Sequence, residues 1–369
     1  MFEFKPELVL IQKEVLKNSF TQRILKNLNG AEVIIIDSDK NEKFDTYYNI
    51  NELINHSKRR IYIRKHKGRI IKKCPGTKGL ICCNYYVATF AENCPFDCSY
   101  CFLQGYINNP FTSIYVNYED FIVQFRELLA RYPEYKFRIG TGEFTDSIAL
   151  DEIMNINKEL INLFKDKKNA ILELKTKSSK IDSLLNEDHQ GRTVISWSLN
   201  PQSIIDSEEK NCSSLDERID SALKCQNAGY KIGFHFDPII HYEGWENEYY
   251  DIINKISKKI EPSSIAWISL GTFRYFPSLK PIIKDRFPES KILYGEHIPC
   301  SDGKFRYIKP VRTSIYSKML KWLNEYNNNI FVYLCMETRE VWEKVFGWSP
   351  RCNLHLNELF DSKTMKISH

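Results

Sequence analysis

The segment "ENCPFDCSYCFLQG" sets Cys94, Cys98 and Cys101 in a C-x3-C-x2-C pattern framed by aromatic residues. Three thiols are one short of a closed structural zinc site, which takes a fourth thiolate or a histidine and usually pairs two C-x-x-C knuckles. No second knuckle is present, and Cys82 and Cys83 are poor substitutes because adjacent strand residues face opposite sides. Three close thiolates can instead hold three irons of a four-iron cluster and leave the fourth iron open to an exogenous ligand. Three unrelated buried cysteines are the alternative, since free cysteine packs as a small hydrophobe.

The elements that position this loop form a series. From about residue 85 to 275, strand-like and helix-like segments alternate in six β/α steps. The strands are "YYVATFAENC", "FRIGTGEF", "AILELKTKS", "VISWSLN", "YKIGFHFDPI" and "SSIAWISLGTF". Helical spacing is read in "YEDFIVQFRELLARY", "LDEIMNINKELINLFKD", "SSKIDSLLNE", "SLDERIDSALKCQNAG" and "GWENEYYDIINKISKKI". Short connections argue for parallel strands with crossover helices. Six steps are too few for a closed eight-stranded barrel, so the expected fold is α/β, a partial (β/α)6 TIM-type barrel. Chemistry then belongs at the carboxyl ends of the strands. The cysteine loop follows the first strand, Glu143 and Thr145 end the second, and Lys177 the third. Ser198 and Asn200 end the fourth, Asp237 the fifth, and Thr272 with Arg274 the sixth. Any one strand can end in a polar residue; six such ends around one thiol loop form a pattern.

Residues 1–84 read as a small N-terminal α/β unit with a basic linker, 85–290 as the barrel, and 291–369 as a C-terminal extension with a hairpin and helices. The linker carries nine Lys or Arg between Lys58 and Lys73, a solvated strand on one reading and a phosphate-contacting ribbon on the other.

Composition sets limits. The 369-residue chain is 43% hydrophobic and 27% charged, ordinary for a soluble protein large enough for a substantial core. No apolar run reaches the roughly eighteen residues of a membrane helix, and the start lacks a signal-peptide pattern. Eleven cysteines, an odd number without a small disulfide framework, suit a reducing compartment in which clustered thiols serve a metal. A cytoplasmic location without membrane association is expected. The net charge of +5 permits an anionic partner without requiring one.

The thiol spacing, on a loop after the first strand of a partial barrel, resembles the radical S-adenosylmethionine (SAM) superfamily. The resemblance implies a [4Fe-4S] cluster on Cys94, Cys98 and Cys101, with SAM chelating the open iron. One electron, from a flavodoxin- or ferredoxin-type donor, then cleaves SAM to a 5′-deoxyadenosyl radical that abstracts hydrogen from a substrate. "GTGE" looks like the superfamily's glycine-rich motif, with Gly140 and Gly142 letting backbone approach the methionyl amino group. Thr145, Lys177 and Ser198 complete the implied SAM contacts, Lys177 as a charge for its carboxylate. Taken alone, Lys177 also reads as a solvated strand-end lysine.

A narrower resemblance covers about residues 85–347. "VATFAENCPFDCSYCFLQ", "RIGTGEFTDSIALD", "KTKS", "SWSLNP", "AGYKIGFHFDPIIHYEGWENEY", "DGKFRYIKPVR" and "VYLCMETREVWEKVFG" are together similar to the spore photoproduct lyase family, which repairs a thymine dimer in DNA. In those enzymes a cysteine after the second strand donates hydrogen to the product radical, and two tyrosines beside the last cluster cysteine help return the radical to SAM. Here the donor position is Glu143; Tyr100 is kept but its counterpart is Phe102, and Asp237 stands where alanine is expected. Glu143, Tyr100 and Asp237 are therefore the substrate-side candidates. Cys225 and Cys335 read as core thiols, with a displaced hydrogen donor as the alternative for Cys335. Asp237 and His235 share a strand face, as two ligands of one metal ion would, but Asp237 is taken as a cofactor or substrate contact, His235 as core or pocket lining, and His241 with Glu243 as a helix-entry loop.

The resemblance also places nucleic-acid contacts at "DGKFRYIKPVR", with Lys304, Arg306, Tyr307, Lys309 and Arg312 as candidates and an amphipathic structural hairpin as the alternative. The implied activity is hydrogen abstraction from a nucleic-acid or nucleotide-like substrate, of DNA repair or modification type. A biosynthetic radical SAM enzyme for a small metabolite and a non-catalytic Fe–S nucleic-acid-binding protein are the other two readings.

Overall fold

The computed structural model describes residues 4–28, 30–37, 50–74, 76–77, 79–105 and 111–364. Its centre is an open, curled eight-stranded half-barrel sheet. The strands run, in spatial order, Val332–Leu334, Ile265–Thr272, Lys231–Ile239, Thr193–Ser198, Ala170–Thr176, Phe137–Gly140, Tyr86–Ala88 and Ile71–Lys73. Every neighbouring pair is parallel except the last. The six expected strands are present in the expected order. Thr193–Ser198 and Ile265–Thr272 are buried at every position, as strands covered on both faces must be. The sheet also crosses both expected boundaries. Ile71–Lys73 joins from the N-terminal side, and Val332–Leu334 extends the parallel edge from the C-terminal side.

Helices cover the convex face where the apolar spacing placed them, with two differences. The segment 150–166 is not one helix: Asp151–Met154 stops at Asn155, which is left-handed at φ 47°, and Asn157–Phe164 begins anew. The Asp151 carboxylate accepts from the backbone N–H groups of Ile156 and Asn157, so a side chain caps the second helix in mid-segment. The segment 178–187 forms only a 3-10 turn, Asp182–Leu184. Ser214 and Glu217 close a capping box on the helix Leu215–Asn227. A helix not read from the sequence, Asn353–Thr364, lays Phe360 against Trp267, Phe331 and Tyr333 and over the guanidinium of the buried Arg138, 3.5 Å from the ring centroid.

The N-terminal residues build a second sheet in the order Glu32–Ile36, Leu8–Gln12, Arg60–Arg64, Thr112–Tyr115 and Ala91–Glu92. Its last two strands flank the cysteine loop. That loop therefore leaves the half-barrel at Ala88, is pinned by Ala91–Glu92, and returns to the second sheet at Thr112. Sheets on both sides fix its two ends.

Candidate active site

The cysteine loop is held by groups remote in sequence. Lys58 Nζ donates to the carbonyl oxygens of Cys94 (2.9 Å) and Phe96 (2.6 Å) and lies 3.7 Å from Asp97. Arg286 forks onto both oxygens of Asp97 at 2.9 and 3.0 Å and donates to Gln104, whose amide reaches the carbonyls of Cys98 and Ser99. The first lysine of the basic run is thus a loop clamp, and Arg59 and Arg64 also have protein partners, Glu7 and Tyr115.

A short antiparallel pair, Asp97–Cys98 with Glu209–Lys210, ties the loop to the end of the fourth barrel step, with Cys98 opposite Glu209. The Glu209 carboxylate is fully buried. It accepts from Tyr100 Oη, from Asn200 Nδ2 at 2.8 Å and from Arg218 Nη2 at 2.6 Å, and it lies 3.9 Å from Lys177 Nζ. Burial alone would raise its pKa, but Arg218 and Lys177 hold it down at about 2. Burial likewise disfavours charge on Lys177, and Cys98 and Glu209 outweigh it, so Lys177 stays cationic. Its Nζ stands 5.0 Å from the centroid of the Tyr100 ring. The structure thus brings Cys98, Tyr100 and Lys177 together around Glu209. Sequence reading missed Glu209, Arg218, Lys58 and Arg286; Lys58 and Arg286 reach the loop across long sequence separations.

Asp146 joins the loop after Phe137–Gly140 to the next strand end, accepting from the N–H groups of Ile148, Ala149 and Lys177 and from Thr176 Oγ1. Nearby, Thr145 Oγ1 is buried without a hydrogen-bond partner in the protein. Ser198 is buried at its strand end, where its carbonyl accepts from Arg218. The two glycines are also required by their protein neighbours. A Cβ on Gly140 would sit 1.5 Å from Tyr85 Oη, and one on Gly142 would sit 2.9 Å from the Lys175 carbonyl oxygen. Protein atoms therefore fill the space beside each glycine.

Facing this rim are Glu143 and Asp237. Burial raises the Glu143 pKa, partly offset by Lys175, and among the described residues no hydrogen bond or ion pair answers its carboxylate. Asp237 instead accepts a bidentate pair from Arg274, at 3.0 and 3.2 Å, which outweighs burial and keeps it ionised. Arg274 also points Nη2 at Cys335 Sγ (3.7 Å), so Cys335 borders this space. His235 is part of a buried network, 2.7 Å from Glu173, which also accepts from Ser196 and Trp267. Cys225 is wholly buried, as expected.

The hairpin expectation needs correction. Arg306 is buried, donating to Asp302 and to the Met336 carbonyl. Arg312 is buried against Glu337 and the Tyr307 carbonyl, and the buried Tyr307 hydroxyl accepts from His241 N–H. Their charges and polar atoms are spent inside the fold, which is why they cannot meet phosphate. Lys309 is exposed and paired with Glu340. Lys304 is half-buried beside Phe276, its pKa lowered by burial and by Arg274.

The residues present fit the groups the sequence pattern implies. Among the described residues no three His, Cys, Asp or Glu side chains converge as a single-ion site. Thr145 supplies an orphaned buried hydroxyl and Lys177 a buried cation on the same rim.

The family model described as Spore photoproduct lyase matches residues 4–334. Spore photoproduct lyase of Geobacillus sp. (strain Y412MC61) is 27% identical over 270 residues, 72% of this chain and 73% of that protein. Spore photoproduct lyase of Bacillus subtilis (strain 168) is 30% identical over 216 residues, 57% of this chain and 63% of that protein. The fold matches a spore photoproduct lyase mutant with bound AdoMet and dinucleoside spore photoproduct at a TM-score of 0.81 and 22% identity, covering 90% of this chain and 99% of the other. A spore photoproduct lyase complexed with dinucleoside spore photoproduct matches at 0.80 and 22%, with the same coverage. With nearly its whole half-barrel and cysteine loop inside the matched region, the chain belongs to the spore photoproduct lyase family.

Proposed function

We propose that this radical SAM lyase-type enzyme binds a [4Fe-4S] cluster on Cys94, Cys98 and Cys101, binds SAM at Thr145, Lys177 and Ser198, and abstracts hydrogen from a nucleotide-like substrate in DNA. Bound there, cluster and SAM would supply one-electron sulfonium cleavage and hydrogen abstraction. The observation that carries this reading is the Glu209 junction. One residue spans all three: its backbone pairs with Cys98 in the cluster loop and its buried carboxylate meets Tyr100 and the cation of Lys177, so cluster ligand and SAM-carboxylate contact are held in one register.

The chain's own residues direct the rest of the reaction. Lys177 offers a fixed charge to a carboxylate. Tyr100 can release its phenolic proton only toward Glu209, which already accepts it. Glu143 cannot act as a hydrogen-atom donor, so the fate of the substrate radical differs from that in relatives with a thiol at this position. Two carboxylates at the mouth do not exclude an anionic substrate: the Asp237 charge is matched by Arg274, burial favours the neutral form of Glu143, and Lys175 and Lys304 stand near it. A nucleotide-like substrate is accordingly preferred to a small biosynthetic metabolite. A flavodoxin- or ferredoxin-type reductant and a reducing, cytoplasmic setting suit a chain whose eleven cysteines are all free. None of the described helices is long and apolar enough to cross a membrane.

The test is anaerobic incubation of reduced, reconstituted protein with SAM and dinucleoside spore photoproduct. Release of 5′-deoxyadenosine that rises with the dinucleoside supports the proposal. Release that ignores the dinucleoside points to another substrate, and no release at all points to a binding protein.

A further inference from the structure

Cys212 lies outside the C-x3-C-x2-C motif, yet its Sγ is 3.8 Å from Cys98 Sγ, van der Waals contact between two unlinked sulfurs. The backbone makes this approach. Cys98 is paired with Glu209, and Cys212 N–H donates to the Glu209 carbonyl at 3.2 Å, closing a turn. Asn211 takes a left-handed φ of 68° in that turn, which folds Cys212 back over the strand pair. Among the described residues neither Cys94 nor Cys101 makes a comparable sulfur contact, although both belong to the same loop. Cys98 is buried and Cys212 half-buried, so Cys212 is the more accessible of the two thiols.

Sulfurs on two irons of one cuboidal cluster stand well apart, so Cys212 cannot ligate a second iron while it touches Cys98. It is a partner for the Cys98 sulfur itself. We propose that Cys98 and Cys212 form a disulfide when no cluster is held, a thiol–disulfide site that closes the cluster position under oxidation. The oxidant class is a small-molecule disulfide. Cys212, as thiolate, attacks one sulfur of oxidised glutathione, breaking its S–S bond and releasing one glutathione thiolate. Cys98, as thiolate, attacks the Cys212 sulfur of the mixed disulfide and releases the second. The protein pair loses two protons and two electrons, and one oxidised glutathione becomes two reduced ones. Cluster binding blocks the second step by engaging the Cys98 sulfur. That blocking rests on the proposed ligand role of Cys98; the cross-link itself does not.

The experiment treats reduced, cluster-free full-length protein with oxidised glutathione and maps the peptides without reduction by mass spectrometry. The expected result is a Cys98–Cys212 peptide pair lighter by two hydrogens than its free thiols, with the core thiol Cys225 unmodified as the mark of an intact fold. Cys98 joined to Cys94 or Cys101, or left free or glutathionylated while the exposed Cys352 reacts, overturns the proposal. In a second arm, oxidised wild-type protein should take up iron and sulfide only after a reductant is added, whereas Cys212→Ser should take them up directly; equal uptake without reductant also overturns it. Reduced wild-type protein that takes up no iron counts against the cluster reading alone and leaves the mapped cross-link standing.

Discussion

Tyr100 donates its hydroxyl hydrogen to Glu209, and both residues are buried. Glu209 also takes Arg218 at 2.6 Å, with neither side chain exposed. Replacing the carboxylate by an amide leaves Arg218 as a buried charge without its counter-ion, a loss of about 3–5 kcal/mol. Glu209→Gln should therefore lower stability by that order in chemical denaturation. Because Cys98 pairs with Glu209 through the backbone only, the variant should still take up iron under conditions where it is folded. An unchanged denaturation midpoint would show that the junction does not carry the fold.

Lys177 separates cofactor binding from cluster assembly. Its Nζ is turned toward Glu209 and the Tyr100 ring, while its backbone, not its side chain, is locked to Asp146. Removing the cation should spare the local backbone and cost SAM its proposed carboxylate partner, about 2 kcal/mol or more for a desolvated charge pair. Lys177→Ala should weaken SAM binding by at least about tenfold in calorimetry, with iron content at the wild-type level. Parallel loss of iron would assign the lysine to the cluster loop instead.

Much of this arrangement was legible because it is local. The thiol spacing lies within one loop, and the strand ends that carry Thr145, Lys177, Ser198 and Asp237 follow from alternation of short apolar runs and helical spacing. What could not be read comes from pairings across the fold. Arg306 and Arg312 look like surface cations in a basic, aromatic segment, but Asp302 and Glu337 meet them inside. Asp302, four residues before Arg306, was the one local hint. Lys58 disappears into a run of cations although it clamps Cys94 and Phe96. The glycines of "GTGE" also meet a demand that the sequence does not display, because Tyr85 and Lys175 of the same chain fill the space beside them. A lone buried carboxylate such as Glu209 carries no sequence signature when its partners lie 9 and 109 residues away.

Acid should expose the buried carboxylates. Glu173 accepts from His235, Ser196 and Trp267; burial opposes its charge, but these donors and Arg138 win and hold its pKa at about 2, below its ordinary 4.5. A carboxyl whose folded pKa is depressed contributes stability that is complete above the unfolded value and is lost as pH falls through the folded one. The window is thus from 4.5 down to about 2. Glu173→Gln should be less stable than wild type near neutrality and should show a shallower decline of stability across that window, measured by denaturant titration at a series of pH values. Equal slopes would contradict the ionised form of Glu173.

Glu143 stands where the family resemblance implies a hydrogen-donating cysteine, and its carboxylate is free of hydrogen bonds among the described residues. The change is nearly confined to one side chain, since Asp237–Arg274 and the Asp146 hub do not depend on it. A thiol S–H bond is weak enough to yield hydrogen to a carbon radical; a carboxyl O–H bond is not. Glu143→Cys should therefore increase the share of dinucleoside spore photoproduct converted to intact thymine per 5′-deoxyadenosine formed, read by chromatography of the products. With the thiol deuterated by exchange in heavy water, the new thymine should carry the label. Should the variant give no more thymine than wild type and no label, the hydrogen would have to come from another group, and Cys335, which Arg274 holds at 3.7 Å on the same side of the site, is the next residue to change.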